Sequence, residues 1–273
     1  MSKHQYRLLV VDIDGTLVDG CGIISAEDRA ALAEVRAVGI QVCISTGRAL
    51  LACSGIIDQL SLDSYHISFD GALISILTSD EEVFVQPIKK DTVRQMVEYA
   101  RLNDIDLDLY STTQYFAERE TWSTDAHRRF FELPPTIADF TTLWERERIV
   151  KGGLTSVTPQ EDEKVKDFCR QFGDRLYFSQ ARTPAYPSAT FTNMLAPQVS
   201  KGRALEALAE HLGISLAEVM AVGDGINDMS LLSTAGLAVA MGNSSSEVKA
   251  VADYITLDVE QSGLAAAVNK FLL

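Results

Sequence analysis

The chain has 273 residues and carries 24 Lys and Arg against 38 Asp and Glu, a formal net charge of −14 at pH 7. Its hydrophobic fraction of 47 % and charged fraction of 23 % fit a globular protein with a sizeable core and argue against disorder. An acidic surface of this kind repels nucleic acid and anionic membrane faces, and no run reaches the ~18 apolar residues that span a bilayer.

Residues 6–12 (YRLLVVD) form a continuous apolar run, as expected of a parallel strand buried on both faces. The run is too short for a signal peptide and carboxylates follow at once. The four cysteines, Cys21, Cys43, Cys53 and Cys169, form no C-x-x-C pair and no zinc spacing. Together these features lead us to expect a cytoplasmic protein with reduced thiols. Ser25 is a helix cap with Asp28 three residues on, Leu32, Val35 and Val38 share one face, and Gly39 closes the helix. A strand over 40–45 leads into Thr46-Gly47-Arg48. Residues 65–69 read as a third strand and 71–77 as a return strand after a turn at Asp70-Gly71.

The middle of the chain changes character. Residues 105–110 (IDLDLY) alternate, which predicts a strand with one wet face. Further strands are expected at 115–117 and 149–157. Thr158-Pro159-Gln160-Glu161 is a capping box with proline at the first helical position. Pro134-Pro135 and Pro184 to Pro187 mark loops. Beyond these, Ser200 caps a helix over 201–212 that stops at Gly213, and strands at 219–222, 237–241 and 254–257 alternate with helices. This pattern predicts an α/β protein: a Rossmann-like, doubly wound parallel-sheet core. The core would comprise residues 1–83 and 189–273, with an inserted α+β domain over 84–188. The crossings are expected near Gln86-Pro87 and Pro187-Ser188.

Asp12-Ile13-Asp14-Gly15-Thr16 ends the first buried strand, the edge at which open parallel sheets bind ligands. In extended chain Asp12 and Asp14 face one way. Two such carboxylates need a cation between them or a shared proton. A hard divalent ion with oxygen ligands supplies the cation, and Mg²⁺ is the expected choice. Gly223-Asp224-Gly225-Ile226-Asn227-Asp228 follows another buried strand. Asp224 could complete a metal site with the first pair, Asp228 could reach it through water, and the helix start directs N–H groups at an anion. Thr46-Gly47 offers a hydroxyl and a backbone N–H to phosphate oxygens. Lys201 at a helix start opposes the macrodipole, which a role in neutralising phosphate or Asp12 would explain.

Taken in order, DIDGT (12–16), STGR (45–48), SKGRAL (200–205) and GDGIND (223–228) resemble the haloacid-dehalogenase superfamily of phosphohydrolases. The tail MGNSSSEVKAVADYIT (241–256) extends the resemblance to the Cof-like branch, whose α/β cap lies between the second and third motifs. The resemblance implies Asp12 as nucleophile and Asp14 as general acid/base. Thr46, Gly47, Lys201 and Asn227 would surround the phosphoryl group, with Ser45 replacing Thr46 if the strand ends a residue earlier. Asp12, Asp14 (through its carbonyl), Asp224 and Asp228 would hold or surround Mg²⁺. The expected reaction is hydrolysis of a small phosphorylated metabolite, a sugar or cofactor phosphate, through an aspartyl phosphate. The chain departs from the branch at Asp70-Gly71-Ala72, where Asn-Gly-Ala is usual, and at Asn193-Met194, where Glu-Ile is common. A phosphomutase or phosphotransferase on the same core stays open. A non-catalytic phospho-acceptor module is disfavoured by the D-x-D spacing and the long insert. A dinucleotide-binding domain lacks its G-x-G-x-x-G.

Overall fold

Leu8–Val11, buried at every position, lies inside a five-stranded parallel sheet. The strand order is Tyr254–Ile255, Leu237–Ala240, Val219–Gly223, Leu8–Val11, Gln41–Ile44. The computed structural model describes residues 5–79, 81–130, 133–183 and 186–273. Alternate strand residues point to opposite faces. Leu9, Val11, Ile44, Val222 and Val239 therefore pack with Leu32, Val35, Leu264 and Val268 of the helices Ala26–Ala37 and Gly263–Phe271. Leu8, Val10, Cys43 and Ala221 pack on the other face with Ala204, Leu205 and Leu208 of the helix Lys201–Leu212. Two covered faces account for the unbroken apolar runs in the sequence.

The predicted caps form. The Ser25 side chain accepts from Asp28 N at 3.0 Å, Ser200 accepts from Arg203 N at 3.2 Å, and Gly213 ends its helix at φ 62°. From Leu8–Val11 the chain crosses to one side of the sheet, and from Val219–Gly223 to the other. The carboxyl ends of these two neighbouring strands therefore border a topological switch point, where open α/β sheets bind ligands. His66–Ser68 and Leu73–Ser75 form the expected antiparallel pair, joined through Asp70-Gly71.

The chain divides into two compact units, Met1–Phe84 with Ser200–Leu273, and Val85–Val199. The second crossing is thus not at Pro187-Ser188, which lies inside the strand Tyr186–Leu195. Proline is tolerated there because the facing strand has a register shift between Ala181 and Thr183, and the pairing to the other neighbour begins only at Thr190. Pro184, the other end of that predicted loop, lies outside the described residues. The second unit holds a six-stranded sheet, ordered Tyr177–Thr183, Tyr186–Leu195, Lys151–Ser156, Leu107–Tyr110, Tyr115–Ala117, Thr136–Ile137. Leu107, Leu109, Leu154 and Met194 pack with Met96, Val97, Phe168 and Phe172 of the helices Lys90–Leu102 and Pro159–Phe172. The capping box at Thr158 and Glu161 is present.

The wet face predicted for 105–110 holds at Asp106, which is exposed, but not beyond it: Leu107–Tyr110 is buried throughout. The Asp108 carboxylate accepts from Tyr115 Oη at 2.8 Å and from Ser123 Oγ at 3.3 Å. Tyr110 stacks on Tyr115 with centroids 4.8 Å apart. Ser123 belongs to the helix Trp122–Phe130, which supplies cover that local alternation does not reveal.

Burial pushes the Asp108 carboxyl up to about 7, although the bonds from Tyr115 and Ser123 oppose the shift. The folded state therefore keeps a proton that an unfolded aspartate releases near pH 4. The sign follows from that difference: stability is fullest at low pH and falls as pH rises towards the folded value. The loss amounts to about 4 kcal/mol at most. We expect Asp108→Asn to remove most of this slope when thermal midpoints are compared at about pH 5 and about pH 8. A variant that keeps the wild-type slope would reject the assignment.

Candidate active site

Asp12 and Asp224 each follow the last residue of a central strand, and the two strands are neighbours in register. Asp12 N donates to the Val222 carbonyl at 3.0 Å, which anchors the first carboxylate beside the second. Carboxylate oxygens of Asp12, Asp224 and Asp228 lie within 4.8 Å of one another. The chain then turns sharply at Gly15, φ 86°. A Cβ there would lie 2.4 Å from Asp224 Oδ2, so glycine is needed for both backbone and space. Thr16 Oγ1 donates to Asp224 Oδ1 at 2.9 Å. Asn243 Nδ2 donates to the Gly15 carbonyl at 2.9 Å and reaches Asp224 Oδ2 at 3.4 Å.

Lys201 is fully buried although it opens a helix. Its Nζ donates to Asp12 Oδ1 at 2.5 Å, Asp228 Oδ1 at 2.6 Å and the Ser45 carbonyl at 3.0 Å. Burial works against the ammonium, but the Asp12 and Asp228 carboxylates outweigh it and hold the lysine above its usual range. Burial, then the Asp228 charge, pushes the Asp12 carboxyl up, and Lys201 opposes this. Asp224 is pushed up to about 6 by burial and then by Asp228, with the Thr16 bond opposing. Asp228 Oδ2 accepts from Asp224 N at 3.1 Å and Gly225 N at 2.9 Å. Asp228 thus takes the two N–H groups just before the helix that starts at Ile226, and it organises this turn.

Asp14 does not join the carboxylate cluster. The strand has already ended, so the rule that residues i and i+2 face the same way no longer applies. Its side chain is 59 % exposed and forms an ion pair with Arg48, with Nε–Oδ2 at 2.9 Å. Thr46 is buried, and its Oγ1 accepts from Arg48 N at 3.1 Å, which leaves the hydroxyl hydrogen to donate elsewhere. The strand before it ends at Ile44, a residue earlier than expected. Ser45 is buried as well, and its Oγ has no hydrogen-bond partner among the described residues. Asn227 Nδ2 donates to Asp70 Oδ1 at 2.8 Å.

Sequence reasoning gave no role to Thr16, Arg48 or Asn243. Thr16 and Arg48 stood inside quoted motifs, and Asn243 stood inside the tail quoted for resemblance alone. Asp70 read from the sequence as part of a turn and as a departure from the Cof-like pattern.

A doubly wound sheet with carboxylates and a buried lysine at its switch point is the frame of a phosphoryl-transfer enzyme. A family model described as haloacid dehalogenase-like hydrolase matches residues 9–268. The chain is 29 % identical over 268 residues to the 5-amino-6-(5-phospho-D-ribitylamino)uracil phosphatase YcsE of Bacillus subtilis, covering 98 % of this chain and 96 % of that protein. A haloacid dehalogenase-like hydrolase from Bacteroides thetaiotaomicron superposes with a TM-score of 0.86 at 25 % identity, covering 97 % of this chain and 99 % of the other. A phosphatase of the haloalkanoate superfamily from the same organism gives 0.79 at 28 % identity, over 99 % and 97 %. The chain belongs to the haloacid dehalogenase-like hydrolases, and its class of activity is phosphoric monoester hydrolysis. No described helix is long and apolar enough to cross a membrane.

Proposed function

We propose that the protein is a cytoplasmic, Mg²⁺-dependent phosphatase that moves a phosphoryl group from a small metabolite onto Asp12 and then onto water. The observation that carries this reading is the convergence of Asp12, Asp224 and Asp228 within 4.8 Å, with fully buried Lys201 bonded to Asp12. The donor set fits a hard divalent cation: it offers carboxylate oxygens without sulfur or imidazole. A cation among them would also relieve the repulsion that lifts Asp12 and Asp224. Asp12 and Asp224 would hold it, with Asp228 beside them and the Asp14 carbonyl as a further ligand. Bound there, Mg²⁺ supplies positive charge against the phosphate oxygens.

The protein's own groups divide the remaining work. Lys201 fixes Asp12 Oδ1, which leaves the other oxygen to attack phosphorus. Thr46, the Gly47 backbone, Lys201 and Asn227 surround the phosphoryl group, with Ser45 as the alternative to Thr46 for the hydroxyl. Asp14 donates a proton to the leaving oxygen and later takes one from the attacking water. Arg48 must release the Asp14 carboxylate before it carries a proton. We read the unit Val85–Val199 as the cap that selects the substrate. The relative that acts on a phosphorylated ribitylaminouracil supports a small phosphorylated metabolite as substrate, with sugar and cofactor phosphates as the classes to screen.

The test is removal of divalent ions. Hydrolysis of p-nitrophenyl phosphate is expected to fall to background in excess EDTA and to return with Mg²⁺. Full turnover in EDTA would refute the metal assignment.

A further inference from the structure

Asp70 lies beside three of the residues read above as phosphate-binding: Thr46, Gly47 and Asn227. Its backbone N–H donates to the Thr46 carbonyl at 3.0 Å. Its Oδ1 accepts from Asn227 Nδ2 at 2.8 Å. Its carboxylate oxygens lie 3.0 and 3.1 Å from the point where a Cβ on Gly47 would sit. Its charge acts on Lys201 next after those of Asp12 and Asp228.

The carboxylate is held in that place. Asp70 is 7 % exposed. Its φ of 53° and that of Phe69, 51°, fall in the left-handed region, and Phe69 N donates to the Arg48 carbonyl at 3.1 Å. Gly71 follows at φ 103°, where a Cβ would lie 2.3 Å from the Ser200 carbonyl oxygen. The loop is pinned on both sides, which fixes the backbone that carries the side chain, and the bond from Asn227 holds the carboxylate in turn. Aspartate is among the few residues that tolerate the left-handed region, and asparagine tolerates it equally.

We infer that Asp70 sets the affinity of this site for anions: its negative charge weakens the hold on the phosphate group and on the orthophosphate released. The inference rests on the phosphatase reading above. A carboxylate beside an anion subsite repels the ligand. At the effective dielectric of a partly buried site this changes affinity by about tenfold or more. A carboxylate also only accepts hydrogen bonds, so it holds Asn227 with its amide nitrogen turned towards Asp70.

The test compares wild type with Asp70→Asn, which keeps shape and backbone tolerance but removes the charge. Both are assayed with p-nitrophenyl phosphate and Mg²⁺, with orthophosphate as inhibitor, and orthophosphate binding is also measured by calorimetry. The variant is expected to lower both the inhibition constant for orthophosphate and KM by about tenfold. A purely structural role would leave these constants unchanged or raise them, and either result overturns the inference while wild type remains active. If wild type neither turns over nor binds orthophosphate, the phosphatase reading itself fails and takes this inference with it.

Discussion

Asp12→Asn is expected to lower p-nitrophenyl phosphate turnover by about four orders of magnitude or more, the scale seen when a catalytic nucleophile is removed. The amide has the shape of the carboxylate, and its oxygen can still accept from Lys201 Nζ, which now stands at 2.5 Å from Asp12 Oδ1. The sheet residues around position 12 are buried apolar side chains that the change does not touch. The fold should therefore persist, as judged by circular dichroism and a melt that stays cooperative. The chemistry should not, because a neutral amide neither attacks phosphorus nor serves as an anionic ligand. Turnover within about tenfold of wild type would reject Asp12 as nucleophile.

The second large effect concerns stability. Lys201 is a fully buried cation shared by two buried carboxylates, Asp12 and Asp228. Lys201→Met keeps most of the side-chain volume but removes the charge, leaving the two carboxylates to repel each other in a site shielded from water. Breaking a buried pair by removing one partner costs about 3–5 kcal/mol. In a protein of this size that lowers the melting midpoint by roughly 10 °C. The loss should be largest in EDTA and partly recovered in Mg²⁺, because an ion that binds the folded state stabilises it and replaces some of the missing positive charge. Hydrolysis should fall as well, since Asp12 loses the group that fixes its Oδ1. A midpoint in EDTA equal to that of wild type would show that the lysine does not carry the charge balance assigned to it.

These two residues also illustrate how differently the site could be read from the sequence. Asp12 was legible because a buried strand ending in D-x-D-G-T combines a local pattern with a known edge of the sheet. Lys201 was legible mainly by being misplaced, a cation where the helix dipole disfavours one. Asp14 was half legible. Its motif identified it, but the rule that sent its carboxylate towards Asp12 assumed extended chain beyond residue 12. The strand ends at Val11, and the Asp14 carboxylate pairs with Arg48 instead. Asp228 was expected as an outer neighbour of a cation; its carboxylate lies in the acidic cluster and also accepts from Lys201 and two backbone N–H groups, which the sequence did not reveal.

In the second unit the sequence located three of the six strands, Leu107–Tyr110, Tyr115–Ala117 and Lys151–Ser156, and the Thr158 cap, whose causes are local; it missed Thr136–Ile137, Tyr177–Thr183 and Tyr186–Leu195. It mistook the environment of Asp108, because cover by a helix is a tertiary fact that alternation along one strand cannot carry. The boundary near Pro187 went astray for a related reason. Proline signals a break in a ladder, and here the break is supplied by an irregular partner strand instead of the end of the domain.

Sequence by itself determined the alternation of apolar strands and capped helices, and hence the parallel sheet and the two strand ends at which the acidic motifs had to lie. Periodicity, caps and glycines act over a few residues, so they survive in the linear order. Only the tertiary structure decided which carboxylates cluster, that Arg48 holds Asp14, and that Asn243 and Asp70 reach the site. Those pairings join residues far apart in the chain, and they follow from strand order and loop closure, which set distances that no local pattern encodes.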